Sequence, residues 1–246
     1  MLKTMLTVTG QTQLTDVVYQ MTLTGAELAC EPCKPGQFLA LALPGHTLRR
    51  PISVCDRDGT TVTIIYKVVG EGTEQLSKMS AGAELEALCF LGNGYDTALS
   101  GARPVLLGGG VGVPPLLLLA KTLLAEGKQP SVILGFNTEK EIFAEDAFRA
   151  LHIPVTVATA DGSYGERGFV TDVLRKWKDY TYTFACGPEP MLHAVYDVAD
   201  SDGQYSFEER MGCGFGVCMG CSCQTKYGTK RICKDGPVLQ KGEIIW

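Results

Sequence analysis

Pro104-Val-Leu-Leu-Gly-Gly-Gly-Val-Gly-Val-Pro-Pro115 is the stretch whose reading decides the fold. A short apolar run ends in glycines and leads into the apolar residues Pro114 to Glu126, with Gly127 behind them. That is the pattern of a buried strand, a tight turn and a helix with a defined stop. The alternation continues downstream. Strands are expected over 131–136, 155–159 and 180–186, and helices over 140–150, 170–177 and 189–199. Strands alternating with helices predict a doubly wound parallel sheet. At the head of the first helix, free N–H groups and the positive end of the helix dipole would meet a bound pyrophosphate. The glycines do not match G-x-G-x-x-G, because Val113 or Pro115 stands where the third glycine belongs. Such turns also serve plain strand–helix packing. Cys186-Gly187-Pro188 forms a second turn at the same carboxyl edge, where open α/β sheets bind ligands. Asp161-Gly-Ser-Tyr-Gly165 is a third, and reads equally well as an ordinary turn. Candidate dinucleotide contacts are therefore Gly109, Gly110, Gly112, Cys186, Gly187 and Pro188. Asn137-Thr-Glu-Lys140 offers no arginine for a 2′-phosphate, which inclines the choice slightly towards NAD.

Upstream the pattern is different. From Thr4 to about Ala98, short β-like runs are separated by Gly, Pro and Asp, among them 17–23, 37–43, 61–68 and 84–90. Several alternate apolar with polar residues, which predicts an antiparallel barrel. Within it lie Arg49-Arg50-Pro51-Ile52-Ser53, Ile65-Tyr66-Lys67 and Gly70-Glu-Gly72-Thr73. An arginine suits a diphosphate, a hydroxyl suits a flavin ring nitrogen, and a Gly-Thr turn offers N–H donors to phosphate. Each is common on protein surfaces, and their order is what carries weight.

The third region is set by cysteine. Of ten cysteines, Cys213, Cys218, Cys221, Cys223 and Cys233 fall within 21 residues. Cys213-Gly-Phe-Gly-Val-Cys218-Met-Gly-Cys221, followed by Cys233 after eleven residues, is the C-x4-C-x2-C…C spacing of a plant-type [2Fe–2S] site. Gly212, Gly214, Gly216 and Gly220 let the backbone wrap a cluster closely. Cys223 is read as a bystander. A structural zinc site usually shows two C-x2-C knuckles close together, and this cluster has only one. Cys30 and Cys33 have that spacing too, but with no second pair nearby they are also read as bystanders. From about Ser206 the chain cannot build a sizeable core, and bound metal would supply the missing stability. The chain therefore divides into a barrel over 1–98, an α/β unit over 99–205 and a small cluster lobe over 206–246.

A formal charge of −5 leaves no basic stripe for nucleic acid. The first ten residues lack the apolar core of a secretory signal, and the apolar run 111–125 is too short to span a bilayer. A cytoplasmic protein without a membrane partner is expected.

Arg-Pro-Ile-Ser, Gly-x-Gly-Thr, Leu91-Gly-Asn-Gly94, Gly-Gly-Gly-x-Gly-x-Pro and Cys-Gly-Pro, in that order, resemble the ferredoxin–NADP+ reductase superfamily. Glu208-Glu-Arg-Met-Gly-Cys-Gly-Phe-Gly-Val-Cys, Cys233-Lys-Asp-Gly-Pro-Val, Asp161-Gly-Ser-Tyr-Gly and Gly168-Phe-Val-Thr-Asp172 narrow the likeness. They resemble the family of electron-transfer subunits of dihydroorotate dehydrogenase B, and the resemblance covers nearly the whole chain.

That resemblance implies a flavin-binding barrel, a nicotinamide-binding α/β domain and a C-terminal [2Fe–2S] lobe. It implies FAD on Arg50, Pro51, Ile52, Ser53, Ile65, Tyr66, Lys67, Gly72 and Thr73, with Arg50 on the diphosphate and Ser53 near the ring. Lys67 stands where arginine is more usual, so a phosphate role there is weaker. Cys213, Cys218, Cys221 and Cys233 would ligate the cluster. Electrons would run from the FMN of a catalytic subunit through [2Fe–2S] and FAD to NAD+, in pyrimidine biosynthesis. Nothing in the chain resembles a dihydroorotate site, so an FMN-containing partner is expected, in a heterotetramer of two copies of each. The nearest rivals are subunits of an NADH-dependent ferredoxin–NADP+ oxidoreductase, a sulfite reductase or a hydrogenase. A zinc-stapled nucleotide-sensing module is remoter, and a Ser/His/Asp hydrolase finds no Gly-x-Ser-x-Gly elbow.

Overall fold

The computed structural model describes residues 1–246. Six antiparallel strands close a barrel: β1 (Leu2–Gln13), β2 (Val18–Thr24), β3 (Phe38–Leu41), β4 (Arg50–Asp58), β5 (Thr61–Lys67) and, after helix α1 (Glu71–Ser77), β6 (Glu84–Leu91). Around the barrel they run β1-β2-β5-β4-β3-β6. The two-residue alternation of each strand divides its side chains between inside and outside. Val62, Ile64 and Tyr66 of β5 and Leu85, Ala87 and Cys89 of β6 fill the interior, while Ile65 and Leu88 face outward into the neighbouring cores.

The second half alternates as expected: β7 (Pro104–Gly109), α2 (Pro115–Ala125), β8 (Ser131–Phe136), α3 (Glu145–Arg149), β9 (Val155–Thr159), β10 (Glu166–Arg167), α4 (Val170–Leu174), β11 (Tyr182–Cys186), α5 (Glu189–Val198) and β12 (Gly203–Ser206). These strands pair in parallel in the order β10-β9-β8-β7-β11-β12. Leu106, Val132, Leu134 and Phe184 pack under α2 and α3, and Val105, Leu107, Ile133 and Ala185 under α4 and α5. Strand β7 sits between β8 and β11, so the chain winds one way and then the other from it. That is the switch point at which doubly wound sheets open a crevice.

The helix expected over 140–150 is broken. A single turn spans Glu139–Glu141, Phe143 packs edge-on against Phe136 with ring centroids 5.4 Å apart, and Ala144 adopts a left-handed φ of 61° before α3 begins. Burial of Phe143 outweighs helix continuity there. The helix expected over 170–177 likewise ends at Leu174, with Trp177 N–H closing a last turn on the Leu174 carbonyl.

Beyond Ser206 the chain crosses to the barrel and makes the cysteine loop. It then forms the hairpin β13 (Ser222–Thr225) and β14 (Gly228–Arg231), and returns as β15 (Val238–Gln240), antiparallel to β12 with Val238 opposite Ser206. The cysteine-rich stretch thus leaves and rejoins one strand pair.

Tyr95 pins barrel to sheet. Its N–H donates to the Pro35 carbonyl, its hydroxyl donates to Ala185 O at 3.0 Å, and its ring meets Phe184 edge-on at 5.4 Å. Tyr95→Phe is expected to cost about 1 kcal/mol, read as a lower denaturation midpoint with the barrel's circular dichroism retained at low denaturant.

Candidate functional site

Strands β4 and β5 pair only where Val54–Asp58 meets Thr61–Ile64, and the Arg50–Ser53 half of β4 pairs with β3 alone. Past Val54 the two strands splay, leaving one main-chain edge of 50–53 turned towards one edge of 65–67. Into this gap reaches the start of α1. An added Cβ on Gly72 would lie 2.2 Å from Arg50 Nε and 2.7 Å from its Cζ, so the Arg50 guanidinium rests on the bare Gly72 backbone. Arg50 is oriented by the Leu48 carbonyl and by His46 Nδ1 at 2.9 Å. The first helical hydrogen bond of α1 runs from Glu74 N–H to Gly70 O, so the N–H groups before it remain available, as at any helix start. A cation resting on a bare glycine beside free N–H groups is a cradle for a diphosphate.

Two of the expected flavin residues act differently from their side-chain chemistry. The Tyr66 ring lies inside the barrel, stacked 6.1 Å from Tyr19, with its hydroxyl donating to Gln11 Oε1 at 2.9 Å. Only its main chain faces the gap. The Thr73 hydroxyl caps α1, accepting from Val69 N–H at 2.9 Å and Gly70 N–H at 3.2 Å, which leaves its backbone N–H for a ligand. Ile65 packs in the core shared with Val18, Cys55, Val113 and Leu116, joining the splay to the sheet's switch point.

At that switch point Gly108 of β7 lies opposite Cys186 of β11. A Cβ on Gly112 would lie 2.2 Å from the Cys186 carbonyl oxygen, and one on Gly109 would lie 2.4 Å from Met191 Sδ. The two glycine turns therefore touch, with Met191 packed against both. Gly110, at a φ of +50°, faces open space. Packing accounts for Gly108 and Gly112, and Gly110 is the glycine of this turn left facing open space. Burial pushes the Cys186 thiol up to about 12, so it stands there as a neutral thiol. The Asp161–Gly165 loop is ordered by its own bonds. Ser163 donates to Asp161 Oδ1 from its hydroxyl at 2.6 Å and its N–H at 3.0 Å, and accepts from Glu139 N–H at 2.8 Å.

The cysteine loop rests directly on the barrel. A Cβ on Gly214 would lie 3.7 Å from Ala40 and 3.8 Å from Leu91, and Ala40 is paired with Pro51. Only β3 separates this loop from the Arg50–Ser53 strand. Asn93, at the barrel's exit, secures the other end. It donates through Nδ2 to the Val238 carbonyl at 2.7 Å and the Asp235 carbonyl at 3.2 Å, and accepts Val238 N–H at 3.1 Å.

Within the loop the thiols form two pairs. Cys213 N–H donates to Cys218 Sγ at 3.4 Å, and Cys233 N–H donates to Cys221 Sγ at 3.4 Å. No three His, Cys, Asp or Glu side chains converge as ligands of one ion would. Two thiolates on each of two irons is what a [2Fe–2S] cluster takes from four cysteines. The donor set and its pairing fit that group better than one zinc. Desolvation opposes ionisation of Cys213, but main-chain hydrogen bonds at Cys218, Phe215 and Val217 outweigh it and bring the thiol down to about 6. Burial and then the neighbouring Cys221 push Cys233 up, so metal must displace a proton there. Cys223 lies on β13 opposite Lys230 and packs into the sheet's core, and burial raises its thiol as well. Cys30 is exposed, and the Cys33 thiol donates to the Lys34 carbonyl at 3.7 Å.

The chain is similar to several known proteins. Residues 208–245 match the iron–sulfur cluster binding domain of dihydroorotate dehydrogenase B. The chain is 41% identical to the electron transfer subunit of dihydroorotate dehydrogenase B (NAD+) from Bacillus pumilus, over 99% of this chain and 98% of the relative. It is 40% identical to that subunit from Fusobacterium nucleatum, over 97% and 96%. Among solved structures, an NADH-dependent reduced ferredoxin–NADP oxidoreductase superposes with a TM-score of 0.89 at 26% identity, covering 98% of this chain and 90% of that one. A ferredoxin–NADP+ reductase from Neisseria gonorrhoeae has the same fold, with a TM-score of 0.66 at 17% identity over 85% and 94%.

Replacing Cys213, Cys218, Cys221 or Cys233 singly by Ser is expected to strip iron and sulfide from the anaerobically purified protein, whereas Cys223→Ser retains both. Gly72→Ala, whose methyl would displace Arg50, is expected to lower bound flavin at least tenfold while iron content holds.

Proposed function

The chain belongs to the family of dihydroorotate dehydrogenase B electron-transfer subunits, and from that footing we propose that it delivers electrons from a dihydroorotate-oxidising partner to NAD+. FAD, a [2Fe–2S] cluster and NAD are its cofactors. Together they supply the conversion between single-electron transfer and two-electron hydride exchange. The chain's own residues bind these groups and hold them in order. Arg50 and the N–H groups around Gly72 and Thr73 take the flavin diphosphate. The main chain of Pro51, Ile52 and Ser53, facing that of Ile65, Tyr66 and Lys67, borders the ring. The turns Gly109, Gly110, Gly112 and Cys186, Gly187, Pro188 receive the dinucleotide, with Gly110 bare towards it. Cys213, Cys218, Cys221 and Cys233 hold the cluster.

The single observation that carries this reading is the seat of the cysteine loop on β3, beside the strand that lines the flavin gap. An FMN-containing catalytic subunit docks on the cluster side, where Phe215, Val217 and Met219 are exposed apolar residues of the cysteine loop. Two copies of each subunit make a heterotetramer. No helix of the chain is long and apolar enough to cross a membrane. A cytoplasmic setting belongs to the same reading, in which clustered cysteines serve as iron ligands rather than as a disulfide framework.

Co-purified anaerobically with its catalytic partner, the complex should form orotate from dihydroorotate with stoichiometric reduction of NAD+. Cys221→Ser should abolish NAD+ reduction while the partner still bleaches a dye acceptor. A complex active on dihydroorotate but inert towards NAD+ would overturn the assignment.

A further inference from the structure

Arg231 ends β14 two residues before Cys233, and each nitrogen of its guanidinium donates one hydrogen bond. Nε donates to Asp235 Oδ2 at 2.8 Å and Nη2 to Asp235 Oδ1 at 3.1 Å, a two-pronged pair that the Arg231 N–H joins at 3.0 Å. Nη1 turns the other way and donates to the Gly216 carbonyl at 2.8 Å, inside the Cys213–Cys218 loop. The N–H of that same peptide unit, on Val217, donates to Cys213 Sγ at 3.3 Å. One peptide group is thus clamped between a guanidinium on its oxygen and a cysteine sulfur on its N–H. Hydrogen bonds in series polarise one another, so the cation strengthens the donor that Cys213 receives. The same positive charge also acts on Cys221 and Cys233.

An ordinary i,i+4 ion pair on a surface hairpin is worth little and would have no reason to reach Gly216. Gly216, at a φ of +89°, would put a Cβ 2.5 Å from Lys234 Cδ, so its carbonyl is presented to Arg231 by a backbone that only glycine adopts there. Potentials of iron–sulfur clusters follow net charge and hydrogen bonds to the sulfurs.

We infer that Arg231 is a positioning residue that raises the reduction potential of the cluster, by its charge and through the 216–217 peptide, with Asp235 partly offsetting that charge. The inference rests on the cluster assignment above. Each member of the pair then has its own sign. Removing the cation disfavours the reduced, more negative cluster, and removing the carboxylate favours it. A purely structural clamp has no such asymmetry, because either substitution breaks the same pair.

The test is an EPR-monitored redox titration of the complex with its catalytic partner. Arg231→Gln is expected to lower the cluster potential by on the order of tenfold in the one-electron equilibrium, which is 59 mV. Arg231→Lys, keeping charge but losing the fork, should fall between Gln and wild type. Asp235→Asn should shift the potential upward. Shifts of the same sign in Arg231→Gln and Asp235→Asn, or none in either, would overturn the inference. If Arg231→Gln loses its iron, Asp235→Asn decides alone, and an unchanged or lowered potential there refutes it. A wild-type complex with no reduced-cluster EPR signal would instead refute the cluster assignment itself, and the inference with it.

Discussion

Asn93 is the fastening on which the arrangement depends. One side-chain amide, at the point where the chain leaves the barrel, satisfies two carbonyls and one N–H of the segment that follows Cys233. The cysteine-rich stretch buries few apolar side chains, chiefly Ile232 with Cys221 and Cys233, so directed bonds add to burial in setting its place beside the barrel. Gly92 allows the approach: a Cβ there would lie 2.6 Å from Pro237 Cδ. With β15 paired to β12 and Gly214 against Ala40, the loop is held from three sides. Metal ligation then closes a frame the protein has largely built, and the stability it adds is needed locally rather than for the whole chain.

The two larger units meet by a related economy of backbone. The barrel opens a gap where β4 leaves β5, and the sheet opens a crevice where β7 separates two winding directions. Ile65, Val113 and Leu116 fill a common core between these openings, and Tyr95 bonds one unit to the other. The two ligand-sized openings are therefore neighbours by construction. Glycine at 112 is required because a methyl group there would collide with the Cys186 carbonyl, and a methyl group at 72 would force the Arg50 guanidinium to move. Function here resides in backbone proximity more than in reactive side chains.

Several features were legible in the sequence because their physics is local. Alternation with period two, glycine turns after apolar runs and a C-x4-C-x2-C spacing each report on neighbours along the chain, and the barrel, the parallel sheet and the cysteine loop follow from them. Where local signals competed with packing, packing won. Phe143 left its helix for the core beside Phe136, and Tyr66 turned its ring inward. The signal for Tyr66 was present in the alternation of β5, where inward Val62 and Ile64 set the parity of residue 66.

By itself, then, the sequence determined the classes of element, the order of the three regions and the four thiols, since spacing and periodicity are properties of the chain. Tertiary structure alone decided which glycines are packing and which is open, that β3 lies between the cysteine loop and the Arg50–Ser53 strand, and that Arg231 reaches Gly216 across fifteen positions. Such relations join residues far apart in sequence, and only the closed barrel and the returning strand β15 bring them within a hydrogen bond of each other.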